Sequence, residues 1–196
     1  MKMSVFLRLI VCIAISFAIS FATFPKTEKK AAFDGEIFRL HVVANSDSPY
    51  DQALKLKVRD AVLEKAGEVT ANAKNADEAE ELLKKNAQEI QKAANDILLK
   101  EGDFFGTYMD FGVFHFPVRH YGSVTLPEGD YNALKIIIGE GKGHNWWCVM
   151  YPPLCLLDET AEFKEESLNA LSEETKKKIT KRPKIEVKWK LAEIFG

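Results

Sequence analysis

Basic residues are not in surplus in this 196-residue chain, which carries 27 lysines and arginines against 29 aspartates and glutamates. The formal net charge is −2. A nucleic-acid-binding domain normally has a basic surplus, because it must neutralise phosphates. The composition therefore argues against nucleic acid as a partner.

Cysteine is also scarce, with three residues in the whole chain. Cys12 lies in an N-terminal apolar run, so Cys148 and Cys155 remain outside it. An even pair in an exported chain suggests a disulfide. Two buried reduced thiols are the alternative, and the sequence leaves both open.

Motifs for metal and nucleotide chemistry are missing. A Walker loop needs Gly, four residues and then Gly-Lys-Ser/Thr, whereas Lys142 is followed by Gly143 and His144. The histidines lack the close paired spacing of a strong zinc site. We therefore expect no metal and no cofactor. The four histidines are His41, His115, His120 and His144.

His144 and Cys148 form the one combination that could support covalent catalysis. A thiol with a neighbouring imidazole base is a reasonable nucleophile. No third, orienting group stands out, and Trp146 and Trp147 favour a packed environment for this segment. The alternative function is therefore a thiol-dependent envelope enzyme, such as a cell-wall peptidase or transpeptidase, using Cys148 and His144.

The single long apolar run lies at the N-terminus. Residues 9–24 are uncharged, and Lys2 and Arg8 precede them. A basic start followed by an apolar segment is typical of a signal peptide, and Ser20 and Ala22 suit cleavage after Ala22. We predict that residues 1–24 are a signal peptide or an N-terminal membrane anchor.

The rest of the chain is long enough for one domain. Helical patterns come first and strand patterns follow, which predicts an α+β fold. We expect two layers, with two N-terminal helices packed on a mainly antiparallel sheet. Residues 25–35 are predicted as a tether and 36–157 as the domain. Residues 158–196 form a charged C-terminal extension, either solvated or docked.

The segment from Arg39 to Val62 combines an apolar strand, a polar turn and an amphipathic helix. Ser48, Pro49 and Asp51 fit an N-cap, a proline at the first helical position and a capping box. The polar groups around the strand end either cap the helix or form a recognition surface. For the second case, we predict a partner-binding set of Arg39, His41, Asn45, Asp47, Lys55 and Arg59.

Two long segments resemble a known family. Arg39 to Leu63, RLHVVANSDSPYDQALKLKVRDAVL, is similar to a signature of stage II sporulation protein R of endospore-forming Firmicutes. Phe116 to Cys155, FPVRHYGSVTLPEGDYNALKIIIGEGKGHNWWCVMYPPLC, looks like that family's second signature. The resemblance covers residues 33–155.

The resemblance implies a signalling protein and not an enzyme. Such proteins are exported from the forespore into the intermembrane space of the sporulation septum, either secreted or anchored in the membrane by the N-terminal segment. There they activate a membrane-embedded aspartic protease of the mother cell, which processes pro-sigma-E. The family supplies no catalytic residues that can be mapped here.

Overall fold

The computed structural model describes residues 31–121, 124–154 and 168–179, and it confirms the α+β class. A four-stranded mixed sheet carries three helices on one face, and a separate two-stranded sheet packs on its other face. The elements are β1 (Phe38–Val43), α1 (Pro49–Thr70), α2 (Ala76–Lys85), α3 (Ala87–Lys100), β2 (Thr107–Phe116), β3 (Arg119–Tyr121), β4 (Val124–Leu126), β5 (Gly129–Ile138), β6 (Asn145–Tyr151) and α4 (Glu173–Ile179).

The main sheet has the strand order β2-β5-β1-β6. β1 pairs with β6 and β2 pairs with β5 in the antiparallel sense, as we predicted for most of the sheet. β1 and β5 are parallel, with Val42 opposite Ile136. A parallel pair needs a long crossover connection, which the three helices and β2 provide.

The central strand β1 is buried along its whole length. Phe38, Leu40 and Val42 pack against the helices. Side chains alternate between faces along a strand, so Arg39 and His41 lie on the opposite face. Both faces of β1 are covered, as expected for a strand in a parallel pair.

Helix α1 begins where the sequence predicts. The Ser48 hydroxyl accepts a hydrogen bond from the Asp51 amide at 3.0 Å, and Pro49 is the first helical residue. The helix continues to Thr70. Its buried stripe, which packs on the sheet, contains Leu54, Val58 and Val62.

The expectation of two helices was wrong, because the long segment between Asn75 and Lys100 forms two helices instead of one. The chain leaves helical geometry at Asn86, where φ is −104° and ψ is 18°. The Asn86 side chain donates to the Leu82 carbonyl at 2.8 Å. Asparagine competes for backbone hydrogen bonds in this way, which allows a helix to end.

A second core lies on the face of the sheet opposite the helices. The β3–β4 hairpin, in which Arg119–Tyr121 pairs with Val124–Leu126, covers it. Phe33, from the predicted tether, stacks on Tyr131 with ring centroids 6.1 Å apart. Leu171 and Ile179 are buried in the same core, so this part of the C-terminal extension is docked.

Adjacent leucines of α3 allow a matched test of the helical layer. Leu98 is 1 % exposed and Leu99 is 55 % exposed. Leu98→Ala is expected to lower the free energy of unfolding by about 2–5 kcal/mol, since it empties a packed site. Leu99→Ala should change it by less than about 0.5 kcal/mol. Urea unfolding measures both, and equal effects would contradict the assigned helix face.

Candidate functional site

The two segments singled out in the sequence meet at one end of the sheet. The turn after β1 (residues 44–48) contacts the loop between β5 and β6 (residues 139–144), and we call these two loops together the cap. The Gly143 amide donates to the Ala44 carbonyl at 2.9 Å, and the Lys142 amide donates to the Asn45 carbonyl at 3.0 Å. Backbone hydrogen bonds therefore lock the two loops together.

The glycines of this loop have a structural purpose. A Cβ at Gly143 would lie 2.2 Å from the Ser46 carbonyl oxygen, which is a severe clash. Gly139 and Gly141 have φ values of 55° and 63°, a region that favours glycine. The loop that resembles a phosphate loop is therefore a closely packed turn.

Asp51 organises the other half of the cap. Its carboxylate accepts hydrogen bonds from the Ser46 hydroxyl and from the Asn45 amide group, the second at 3.1 Å. The hydrogen bond from Ser46 is the main reason that the pKa of Asp51 is lowered. Asn45 also accepts from the Glu140 amide at 3.0 Å. Asp51 thus serves the turn and is not a candidate general acid.

The two α1 residues of the predicted contact set, Lys55 and Arg59, are largely covered, whereas Lys57 between them is half-exposed and pairs with Glu101 at 2.7 Å. Lys55 is 4 % exposed, and its ammonium group donates to the Gln52 side chain at 2.6 Å and to the His144 carbonyl at 3.0 Å. Burial lowers the pKa of Lys55. The Arg59 guanidinium lies 4.4 Å from the centre of the Trp146 ring and pairs with Asp60 at 2.6 Å.

Arg39 is fully buried on the other face of the sheet. Its guanidinium lies 4.0 Å from the centre of the Phe116 ring and 4.7 Å from that of Tyr131. It donates to the Tyr121 hydroxyl at 2.8 Å and to the Cys148 carbonyl at 3.3 Å. Desolvation by burial lowers the pKa of Arg39, and burial raises that of Tyr131 to about 12.

His41 lies beside Arg39 and is equally inaccessible. Its ring stacks on Trp147 with centroids 3.8 Å apart, and Nε2 lies 2.8 Å from the Asn145 side-chain oxygen. Burial lowers the pKa of His41 to about 4, although the Asn145 contact opposes that shift. His41 is therefore neutral at ordinary pH.

The structure separates the six predicted contact residues into two groups. Arg39, His41 and Lys55 are buried, Arg59 is mostly covered, and all four hold the fold together. Asn45 is half-buried and belongs with them, since its side chain bonds Asp51 and the Glu140 amide. Asp47 is exposed and accepts from the His144 amide at 2.6 Å. The exposed ionisable groups of the cap have side chains 55–76 % exposed, and they are Asp47, Glu140, Lys142 and His144.

Sequence reasoning missed Glu140 and Lys142 as surface groups. They form an ion pair at 2.6 Å, at the outer end of the β5–β6 loop. Their signal was the run of charged residues between glycines, since such a loop usually lies at the surface. The run lacks the Ser or Thr of a phosphate loop, and its partner loop is distant in sequence.

The thiol-enzyme hypothesis gains no support from the site. Cys148 is disulfide-bonded and 2 % exposed, in the core beneath the helices. It is therefore not a free nucleophile for His144, whose ring contacts Asp47 instead. Cys155, the predicted disulfide partner, lies outside the described residues. Among those residues, no three acidic, histidine or cysteine side chains are grouped to hold a metal ion.

An apolar groove of about 250 Å³ opens between the end of α1, helix α2 and the end of β6. Its lining includes Leu63, Leu83, Met150 and Tyr151. No carboxylate, histidine or lysine among the described residues lines it. Tyr151 is the one ionisable side chain among the described lining residues, and its hydroxyl donates to the Ala73 carbonyl at 3.4 Å.

The cap joins the two segments that carry the family resemblance, and comparison with known proteins agrees with it. The model of the family stage II sporulation protein R matches residues 34–161. This chain belongs to that family. It is 36 % identical over 158 residues to stage II sporulation protein R of Bacillus subtilis (strain 168), covering 76 % of this chain and 70 % of the relative. No solved structure matches the chain.

Gly143 provides a test of the interlocked loops. Gly143→Ala is expected to lower the free energy of unfolding by about 1–3 kcal/mol, because the added methyl group strains the turn. Gly67→Ala is the control, since Gly67 lies within α1 and a Cβ there meets nothing within 4 Å. That change should raise stability by about 0.5–1 kcal/mol. Denaturant unfolding distinguishes the two, and a tolerant Gly143 would contradict the packing described.

The burial of His41 should make the free energy of unfolding depend on pH. Its pKa is about 4 in the folded chain against an ordinary 6.5. Between these pH values the unfolded chain binds a proton that the folded chain does not, so stability falls as the pH falls. His41 accounts for about 3 kcal/mol of that loss. His41→Phe, which keeps the stacking ring, should lack this part of the loss in urea unfolding at pH 7 and pH 4. Identical slopes would contradict the burial of a neutral histidine.

Proposed function

We propose that this chain is an exported signalling protein of sporulation that activates a membrane-embedded aspartic protease of the mother cell. The activated protease then processes pro-sigma-E. Membership of the stage II sporulation protein R family, with the matched region spanning the whole main sheet, carries the proposal. The protein itself acts as a ligand and not as an enzyme.

The geometry of the cap suits a ligand. A protein activates a partner when it binds the active conformation more tightly than the inactive one. Tight discrimination benefits from a surface that does not rearrange. The cap is held by backbone hydrogen bonds, and Glu140, Lys142 and His144 project from it. We assign the contact to these exposed groups and to Asp47.

The proposed compartment depends on the N-terminal segment. Residues 1–30 lie outside the described residues, and no helix in the described part of the chain is long and apolar enough to cross a bilayer. If the apolar run of residues 9–24 stays in the forespore membrane, residues 25–30 span at most about 20 Å. The domain would then be held close to that membrane.

The orientation of the domain favours the cap as the outward-facing end. The Ala32 amide donates to the Asp130 carbonyl, near the start of β5. The cap follows the end of the same ten-residue strand, which is about 30 Å away. The N-terminal attachment and the cap therefore lie at opposite ends of the domain. An anchored chain would present the cap to the facing mother-cell membrane.

An exchange of charges at the cap tests the contact surface. The double change Glu140→Lys with Lys142→Glu keeps the ion pair and the net charge but reverses the pattern. With the full chain, the membrane protease and pro-sigma-E reconstituted together, it is expected to lower cleavage at least about tenfold, or 1.4 kcal/mol of binding. The matched control reverses the exposed Lys92–Asp96 pair on α3 and should leave cleavage unchanged.

The possible outcomes test the assigned contact surface and the proposed function separately. Full activity of the cap exchange would remove the cap from the contact surface while leaving the function standing. A wild-type chain that does not stimulate cleavage would overturn the function itself. Charge reversal at the buried Lys55 cannot replace this experiment, because it would disturb the hydrogen bond to the His144 carbonyl.

A further inference from the structure

Among the described residues, strand β2 has an unpaired outer edge. It is the first strand in the sheet order and pairs only with β5. The Gly139 amide donates to the Gly106 carbonyl, so even-numbered residues here direct their backbone groups toward β5. Met109, Phe111 and Val113 direct theirs outward, and none of these groups has a backbone partner in the described part of the chain. Such an edge is a template for another strand.

The ends of this free edge are well defined. At one end, the Thr107 amide donates to Asn95 at 2.9 Å and its carbonyl accepts from Gln91 at 2.7 Å. At the other end, Pro117 has no N–H to donate. The available edge therefore runs over residues 108–116, and its midpoint is Gly112.

We propose that two copies of this chain pair in antiparallel fashion along β2, around a twofold axis at Gly112. The two four-stranded sheets then form one continuous sheet, with both helical layers on the same face. In this register Phe111 lies opposite Val113 of the second copy, and their outward backbone groups exchange hydrogen bonds. The inference goes beyond the proposed function and does not depend on it.

Charge on the strand is complementary in this register. Asp110 lies opposite Phe114 of the second copy, and the Lys135 ammonium group lies 5.6 Å from the centre of the Phe114 ring. Lys135 is also the cross-strand neighbour of Asp110 in its own chain, so each Asp110 would have a lysine on both sides of the pairing. The two copies of Asp110 stay apart, which matters because like charges directly opposite destabilise a strand pair.

The exposed apolar side chains also favour a second copy of the same chain. Phe104, Phe105 and Tyr108 lie at the start of β2 and are 83 %, 52 % and 61 % exposed, and Val118, after its end, is 45 % exposed. Antiparallel pairing brings the start of one edge beside the end of the other. A twofold contact is self-complementary in this sense, so each copy covers apolar surface that the other exposes.

A cysteine on the axis tests the pairing in the full chain. At Gly112 a Cβ would make only ordinary contacts with the Phe114 ring, the nearest at 3.6 Å, so a side chain fits. The two Gly112 Cα atoms would lie about 4.5 Å apart, within disulfide range. With diamide as oxidant, Gly112→Cys is expected to shift to twice the monomer mass on a non-reducing gel. The wild-type chain, with its own cysteines, sets the background.

Asp110→Cys is the matched control on the same strand and face. Its two copies would lie about 13 Å apart, well beyond the roughly 7 Å that a disulfide can bridge. We expect this variant to remain at monomer mass. A Gly112→Cys chain that stays monomeric, crosslinks only to another protein, or dimerises no more than Asp110→Cys would overturn the proposal.

A proline substitution in β2 shows whether the crosslink depends on backbone pairing or on random collision of two chains. Val113→Pro removes an outward N–H and leaves the hydrogen bonds to β5 intact, as edge strands tolerate. In the Gly112→Cys background it is expected to abolish the crosslink while circular dichroism stays that of the parent. An unchanged crosslink in this folded variant would overturn pairing along β2. If the variant does not fold, the comparison of Gly112→Cys with Asp110→Cys decides alone.

Discussion

The burial of one cation, Arg39, constrains the whole sheet. Its guanidinium lies between rings from β2 and β5, and it donates to the Tyr121 hydroxyl of β3 and to a carbonyl of β6. Because Arg39 itself belongs to β1, a single side chain joins five strands. Removing a charge from water is unfavourable by several kcal/mol unless its surroundings compensate. The two aromatic faces and the two acceptors supply part of that compensation, although the buried Nη1 of Arg39 has no hydrogen-bond partner in the described part of the chain. The burial is favourable only when these strands assemble together.

This requirement also positions the cap. Arg39 fixes which face of β1 turns away from the helices, because a shift of one residue would exchange the two faces. With β1 in register, its end is set against the end of β5 and the start of β6. The turn at residues 44–48 and the loop at residues 139–144 are therefore brought into contact. The second core thus determines the geometry of the surface that we assign to the partner.

Local signals in the sequence predicted much of the fold, and long-range ones did not. The Ser48 cap and the alternating strands are determined by neighbouring residues, and the structure has both. The parallel pairing of β1 with β5 depends on contacts about 95 residues apart along the chain, which no local pattern reports. The same limit explains why the sequence did not predict that Arg39 and Lys55 are buried. Their charge predicted exposure, and only the packing of distant aromatic and carbonyl groups shows why they are buried.

The distribution of polar groups supports the proposed role as a ligand. Catalysis needs ionisable side chains that are partly buried in a cleft, available to a substrate and shifted toward a useful pKa. Here the buried ionisable groups, Arg39, His41 and Lys55, are enclosed by the protein's own rings and carbonyls. The groups that remain accessible, such as Lys142 and His144, stand on a projecting loop and not in a cleft. A chain arranged in this way can be recognised by a partner, and its rigidity serves that recognition because little conformational entropy is lost on binding.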